Sequence, residues 1–209
     1  MTAGFDPELR LSTAEKGVIA CAEEFATEVL SVGAPDWETK KLYPVDAFQA
    51  AARLGLAGIL TPVDHGGAGM SMTGAARIIE TLASQCMAFT FAMVVHNNLA
   101  KAIAANGTAA QQEKYLPDML AARKMGAFLL TEPGAGTDAA NIECQAAPVD
   151  GGWRLNGEKA WVSNAVGAEV LSVYAQTDPS LGWKGIACFL VDASRDGVER
   201  LPAYDLVGG

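Results

Sequence analysis

The glycine-rich segment TEPGAGTD, residues 131–138, has the composition of a site that binds an anion. Pro133 and Gly134 favour a tight turn at the end of a strand. Gly134 and Gly136 lack a Cβ, so an anion can approach the backbone N–H groups, and the Thr137 hydroxyl adds a further donor. Pyrophosphate suits such a site. The alternative is an ordinary glycine-rich hairpin without a ligand.

A second segment, NGEKAWVSN at residues 156–164, combines an aromatic ring with a hydroxyl group. Asn156 and Gly157 predict a hairpin turn next to a strand. Residues two apart in a strand lie on one face, so Trp161 and Ser163 are expected to project together. This arrangement suits an aromatic ligand with a polar rim. The alternative is a core tryptophan beside a solvated serine.

Taken together, the two segments resemble the acyl-CoA dehydrogenase family in their order and spacing. Shorter stretches upstream match the same family, so the resemblance covers essentially the whole chain. These stretches are LGLAG at 54–58, PVDHGGAG at 62–69, HNNL at 96–99 and QEKYLP at 112–117.

The resemblance implies that FAD is the cofactor, held between the middle β domain and a C-terminal helical bundle. Gly136 and Thr137 match the turn over the pyrophosphate, and the position of Thr137 also touches the acyl thioester in the family. Trp161 matches the tryptophan that packs against the isoalloxazine, and Ser163 matches a hydroxyl residue near flavin N5. The implied cofactor-binding residues are Phe128, Leu130, Thr131, Gly136, Thr137, Trp161, Val162 and Ser163.

The family removes an α-proton from an acyl thioester with a carboxylate base while the β-hydrogen leaves as hydride to the flavin. Glu132 is a poor candidate for this base, because it lies inside the cofactor turn on the flavin side. We expect it to accept backbone N–H bonds in the turn instead. In the family the base is a glutamate of the C-terminal bundle, which lies beyond Gly209, so we predict no catalytic residue within this chain.

His96 is the remaining candidate for contact with substrate. Its predicted helix neighbours the substrate tail in relatives, so the imidazole could line the acyl pocket. The alternative, a core or surface histidine, is the more frequent role of such a residue.

The hydrophobic pattern changes from helical to strand periodicity near residue 126. We therefore predict an α+β chain with two domains. An all-helical domain covers residues 1–125, and an incomplete antiparallel β-barrel or sandwich covers residues 126–209, with the C-terminal helical bundle absent. The predicted helices run from Thr13 to about Leu30, from Pro44 to the Gly55–Gly58 stretch, over Thr73–Ser84, over Ala88–Ala105 and over Thr108–Ala122. The predicted strands are Gly126–Thr131, Glu143–Val149, Trp153–Trp161, Val170–Gln176 and Gly185–Val191.

Composition narrows the range of partners. The formal net charge of −9 argues against nucleic acid and anionic membranes, which would repel the chain. Four cysteines without a CxxC pair and only two histidines provide no usual metal-ligand spacing, so no metal is predicted. No apolar run is long enough for a bilayer, and the N-terminal residues lack a targeting pattern. These features predict a cytoplasmic protein.

The resemblance further implies acyl-CoA or acyl-carrier-protein (acyl-ACP) substrates, reoxidation by an electron-transfer flavoprotein, and a homodimer or homotetramer when intact. Two alternatives stay open. One is a flavin-dependent oxidase or monooxygenase of the same fold, which reacts with oxygen. The other is a folded remnant that binds nucleotide or partner chains without turnover.

Overall fold

The computed structural model describes residues 11–206, which form two compact units. The first comprises residues 11–124 together with residues 203–206, and the second comprises Met125–Pro202. The first is helical and the second is built on a sheet, so the predicted order of a helical and then a β domain is confirmed. No helix within the described residues has the length and apolar character needed to span a membrane.

Six α-helices make up the helical unit, and their starts are fixed by local capping. Ser12 and Thr108 each form a capping box with the residue three positions on, and Ser71 caps a third helix through its side chain. The helices are α1 Thr13–Phe25, α2 Ser31–Lys40, α3 Val45–Arg53, α4 Met72–Ala83, α5 Met87–Asn106 and α6 Ala109–Leu120.

The first predicted helix is longer in the structure than expected. A π-helical turn at Ala26–Leu30 joins α1 to α2, and helical structure continues to Lys40 rather than ending at about Leu30. Gly33 and Pro35 lower the helix propensity of this stretch. Packing overrides that preference, because a Cβ on Gly33 would come within 2.3 Å of the indole of Trp37.

An aromatic cluster in the helical unit explains why Trp37 needs this space. The ring of Phe89 stacks on Phe48 at 4.7 Å and on Trp37 at 6.1 Å between centroids. Phe25 approaches the same ring at 5.8 Å. Such contacts contribute beyond simple burial, so this cluster fixes α1, α2, α3 and α5 together.

A buried amide side chain closes the loop that follows α3. Asn97 on α5 accepts a hydrogen bond from the Ile59 backbone N–H at 2.8 Å and donates to the Leu56 carbonyl at 2.9 Å. It also donates to the Met93 carbonyl within its own helix. Because the Ile59 N–H and the Leu56 carbonyl belong to an irregular segment and need partners in the interior, Asn97 sets the path of this loop.

The second unit is a five-stranded sheet in which two strand pairs are parallel. Strand β4 lies centrally, pairs parallel with β1 and β2, and pairs antiparallel with β5; β2 and β3 form an antiparallel hairpin. The prediction of an antiparallel sheet is wrong for β1–β4 and β2–β4. The long connection from β1 to β4 lets the chain re-enter the sheet in the same direction, which a hairpin cannot do. The strands are β1 Met125–Leu129, β2 Gln145–Val149, β3 Gly152–Asn156, β4 Ala168–Gln176 and β5 Ile186–Asp192.

The strand predicted over Trp153–Trp161 is also corrected, because β3 ends at Asn156. Residues 157–167 leave the sheet; they are irregular as far as 162 and form turns over 163–167. Gly157 permits this exit by passing close to β2: a Cβ at this position would be 2.6 Å from the Cα of Cys144. The chain is therefore carried from the β2–β3 hairpin toward the end of β1.

Thr61 provides a test of packing in the helical unit. Its side chain is fully buried, and its hydroxyl is the only buried side-chain polar atom in residues 11–206 without a hydrogen-bond partner. Thr61→Val keeps the shape and removes the unpaired hydroxyl, so the free energy of unfolding should rise by about 1 kcal/mol in urea denaturation.

The matched control for Thr61 is Thr90→Val. Thr90 is equally buried, but its hydroxyl donates to the Cys86 carbonyl at 2.8 Å. This change should lower the stability. Equal losses for the two variants would contradict the role assigned to the Thr61 hydroxyl.

Candidate functional site

A closed turn follows β1, as the sequence predicts. Glu132 and Ala135 exchange two backbone hydrogen bonds, of 2.9 and 3.2 Å, with Pro133 and Gly134 at the tip. Thr131, just before the turn, is half-buried, and Thr137, just after it, is exposed. The turn therefore presents a short stretch of exposed backbone at the end of the first strand.

The two turn glycines are not explained by the conformation or packing of the described chain. Neither Gly134 nor Gly136 has a positive φ, and a Cβ at either position would meet no atom within 4 Å. A larger residue would fit both sites sterically as far as residues 11–206 are concerned. Open backbone of this kind suits a ligand that approaches the N–H groups closely.

The Glu132 side chain points into the unit rather than toward solvent. Its carboxylate accepts hydrogen bonds from the backbone N–H groups of Glu143 at 2.6 Å and Cys144 at 2.9 Å. Lys159 donates to it at 2.6 Å, and both side chains are 6% exposed. Burial raises the pKa of Glu132, but these hydrogen bonds outweigh it and hold the pKa below its ordinary value. Glu132 does accept backbone N–H bonds, as predicted, but their donors are at the entry to β2 and not within the turn.

The segment that contains Trp161 runs beside the end of β1. The Ala160 N–H donates to the Thr131 carbonyl at 2.9 Å, and the Asn164 side chain donates to the Gly126 carbonyl at 3.0 Å. As the chain advances from 160 to 164, its partners move back from 131 to 126. Residues 161–163 therefore lie alongside residues 127–130, which brings the two predicted segments together.

Trp161 has a strained backbone and an exposed side chain. Its φ is 57°, in the left-handed region, and its side chain is 62% exposed. The expectation that Trp161 and Ser163 share a strand face is wrong, since neither residue lies in a strand. Val162 between them packs against the sheet core, and Ser163 is half-buried. The indole therefore lies largely outside the interior of the β unit.

Phe128 lies on β1 and Leu130 directly after it, alongside residues 161–163. Phe128 is 42% exposed and contacts the ring of Tyr174 with centroids 5.0 Å apart, while Leu130 is half-buried. Burial, with the neighbouring Cys188 thiol, raises the pKa of Tyr174 to about 12, so its phenol stays neutral. The side chains along this edge are aromatic or apolar and carry no charge, which suits a flat apolar ligand.

His96 belongs to the interior of the helical unit. Its side chain is fully buried on α5, and its Nε2 lies 3.0 Å from the Met119 carbonyl on α6. Because a carbonyl can only accept, Nε2 carries the proton in this contact. These contacts favour the core histidine that the sequence left as the alternative to a substrate-lining residue.

Two residues that organise the site were not singled out from the sequence. Lys159 donates to the Leu130 carbonyl at 2.9 Å as well as to Glu132. Asn164 has a φ of 67°, a conformation that asparagine tolerates better than most residues. Lys159 lies between Glu158 and Ala160 in the second segment, and this local pattern does not identify its partner.

Comparison with known proteins assigns the chain to a family. A model of the acyl-CoA dehydrogenase N-terminal domain matches residues 12–123, and a model of the middle domain of the same enzymes matches residues 127–208. The chain belongs to the acyl-CoA dehydrogenase family.

Individual relatives agree with this assignment. The chain is 35% identical to mitochondrial isobutyryl-CoA dehydrogenase from Dictyostelium discoideum over 93% of its own length and 47% of that protein. An acyl-CoA dehydrogenase from Bacillus anthracis, solved in complex with FAD, superimposes with a TM-score of 0.82 at 30% identity, covering 95% of this chain and 34% of that one. The prolyl acyl carrier protein oxidase AnaB gives a TM-score of 0.80 at 26% identity, covering 90% and 50%. The chain spans about half the length of the curated relatives it matches.

The left-handed backbone at Trp161 predicts an unusual order of stability. A residue with a Cβ loses roughly 1–2 kcal/mol in this conformation, whereas glycine does not. Glycine also loses more backbone entropy on folding, which offsets part of this difference. We expect Trp161→Gly to be more stable than Trp161→Ala by about 1 kcal/mol in chemical denaturation.

The control for this comparison is Val162, whose φ is not positive. There Val162→Gly should be less stable than Val162→Ala. The same order of stability at both positions would show that residue 161 carries no backbone strain.

His96 predicts a pH dependence of stability. Burial lowers the pKa of His96 to about 4 from its ordinary 6.5. Between about pH 6.5 and pH 4, the unfolded chain therefore binds a proton at this histidine and the folded chain does not. The free energy of unfolding therefore has its full value above about pH 6.5 and declines as the pH falls toward 4, by up to about 3 kcal/mol in total.

Urea denaturation across this pH range tests the linkage to His96. His96→Gln retains an N–H donor for the Met119 carbonyl and cannot titrate, so it should flatten the pH dependence. A slope that persists in His96→Gln would assign it to another group.

Proposed function

We propose that this chain supplies the FAD-binding part of an enzyme that dehydrogenates an acyl thioester between its α and β carbons. The observation that carries the proposal is the exposed side chain of Trp161 on a left-handed backbone, directly after Ala160, whose N–H donates to the Thr131 carbonyl. A flat ligand that packs on the exposed ring would explain why a tryptophan occupies this strained backbone position. The open backbone at Gly134 and Gly136 fits the same ligand at its diphosphate.

The described residues can hold FAD in the following way. Backbone N–H groups around Gly136 and the Thr137 hydroxyl would bind the pyrophosphate. Trp161 would flank the isoalloxazine, and the Ser163 hydroxyl would donate to its reactive edge. The backbone from 128 to 131, including Phe128 and Leu130, and Val162 would border the ring. When bound, the flavin supplies the redox chemistry by accepting the hydride that leaves the β-carbon.

The chain's own contribution to the reaction is binding and orientation. Glu132 is engaged by two amides and by Lys159, so it has no free oxygen placed for proton abstraction. We propose that the base, a carboxylate, comes from the additional length that the relatives have. Under this proposal residues 1–125 and 126–209 are the helical and middle domains of the larger enzyme.

The substrate and partners follow from the same proposal. An acyl-CoA or an acyl-ACP presents a phosphopantetheine thioester, and Thr137, at the exposed end of the turn, would contact it. His96, enclosed by α5 and α6, is a weaker candidate. We further propose a homodimer or homotetramer, reoxidation by an electron-transfer flavoprotein, and a cytoplasmic location.

An oxidase of the same fold is the second candidate, favoured by the similarity to the prolyl acyl carrier protein oxidase AnaB. The two functions differ in how the reduced flavin is reoxidised. Stopped-flow mixing of the reduced protein with air-saturated buffer distinguishes them: slow reoxidation supports the dehydrogenase, and rapid peroxide formation supports the oxidase.

The proposal predicts that Trp161 contributes to FAD affinity. In the protein carrying this chain, Trp161→Ala should weaken FAD binding about tenfold, since a good ring contact contributes about 1.4 kcal/mol. Quenching of flavin fluorescence measures the dissociation constant. Trp153→Ala removes an indole that packs on Phe189 in the same unit, and it should leave FAD affinity unchanged.

Activity is tested on the FAD-loaded protein with a panel of straight and branched acyl-CoA and acyl-ACP thioesters. Anaerobic loss of the visible flavin absorption is the expected result with at least one of them. A protein that binds no FAD, or that binds FAD and is reduced by none of these thioesters, would contradict the proposal.

A further inference from the structure

The ion pair between Lys159 and Glu132 joins three segments of the β unit. The Lys159 ammonium binds the Glu132 carboxylate at 2.6 Å and the Leu130 carbonyl at 2.9 Å. The same carboxylate binds the backbone N–H groups of Glu143 and Cys144, at the entry to β2. Each charged group is therefore satisfied by several partners, although both side chains are only 6% exposed.

Stability alone is a weak explanation for a pair of this kind. Removing two charges from water costs free energy that their attraction does not always restore, and well-packed apolar residues often serve a fold equally well. A buried pair does fix geometry, because its partners must meet in one arrangement. The role of Lys159 and Glu132 therefore lies in the arrangement of the backbone segments that they join.

The residue most directly controlled by Lys159 is Trp161, two positions later. Lys159 is bonded to the Leu130 carbonyl, and the Ala160 N–H is bonded to the Thr131 carbonyl. Further along, the Asn164 side chain is bonded to the Gly126 carbonyl. Trp161 thus lies between anchors on both sides. A left-handed tryptophan persists only where the surroundings impose it, and these anchors do so.

We propose that Lys159 is a positioning residue that keeps Trp161 in its left-handed conformation, with the indole facing the cofactor beside Thr131. This inference rests on the proposed function, since the cofactor is FAD. Lys159 does not itself touch the cofactor under this proposal. Its effect passes through the backbone of residues 159–161, and it should disappear when the indole is absent.

A double-mutant cycle on the protein carrying this chain tests the proposal. Lys159→Met keeps the length of the side chain and removes the ammonium. With Trp161 present, it should weaken FAD binding about tenfold; in a Trp161→Ala background, the same change should have about a twofold effect or less. Lys101→Met, at an exposed lysine of the helical unit, is the matched control and should change neither value.

Lys159→Met leaves the Glu132 carboxylate buried without its cation and can therefore reduce folding. The double variant Lys159→Met with Glu132→Gln removes both charges, so it avoids this penalty while still lacking the anchor. It should show the same dependence on Trp161. An equal loss of FAD affinity with and without Trp161, in either variant, would assign Lys159 a purely structural role and overturn the proposal.

A second readout does not need the cofactor. Hydrogen exchange should accelerate at the Ala160 amide in Lys159→Met, while the amides of α5 in the helical unit stay protected. Unchanged exchange at Ala160 would overturn the positioning role, whether or not FAD binds. If the unmodified protein binds no FAD but exchange at Ala160 still accelerates, the anchor exists and the proposed cofactor function fails. The two failures are thereby distinguished.

Discussion

The buried carboxylate of Glu132 is the interaction on which the candidate site depends. Glu132 belongs to the turn after β1, and its carboxylate bonds to the two other segments that meet there, the entry to β2 and the segment after β3. None of these segments forms a regular ladder with the others at this point, so their backbone groups need partners from side chains. One acceptor with two oxygens supplies them. The low pKa of Glu132 follows from this coordination, and it keeps the group charged and bonded at neutral pH.

In the helical unit, too, single polar side chains form hydrogen bonds to several backbone groups. Asn97 bonds two backbone groups of the loop after α3 and one of its own helix, and Glu15 accepts from the backbone N–H and hydroxyl of both Ser12 and Ser71. The hydrogen bond from the Ser71 hydroxyl is the largest of the effects that lower the pKa of Glu15 to about 2. Irregular segments are fixed in each case by one polar side chain with several backbone partners. The neutral amide is in the interior, and the exposed carboxylate caps two helices at once.

Local signals in the sequence predicted the elements whose formation depends on nearby residues. Thr108 begins α6 as expected, and the turn at Pro133-Gly134 is closed by its own backbone bonds. The failures involve distant partners. Helix formation through Pro35 depends on the packing of Trp37 against Phe89, and the parallel pairing of β1 with β4 depends on the path of the connection. Neither can be deduced from periodicity within a window.

The candidate site was predicted as a set of residue types but not in its geometry. The segments around Thr131 and Trp161 do lie side by side, as the two motifs together suggested. The sequence placed Trp161 in a strand because alternation around it resembles one, and the left-handed backbone arises from anchors at 160 and 164 that no local pattern reveals. Lys159 was missed for the same reason, since its partner Glu132 is distant in sequence.

At two places in this region the residue type differs from the one that the local backbone favours. At position 161, where the backbone favours glycine, the chain has the largest of all side chains, and it leaves that side chain 62% exposed. At 134 and 136, where the backbone and the described surroundings would accept a larger residue, the chain has glycine, which loses more entropy on folding. Each choice lowers the stability of the β unit taken alone. Departures of this kind concentrate where a ligand imposes its own requirements. A flat ring with a diphosphate accounts for both, because the ring needs an aromatic surface and the diphosphate needs exposed N–H groups.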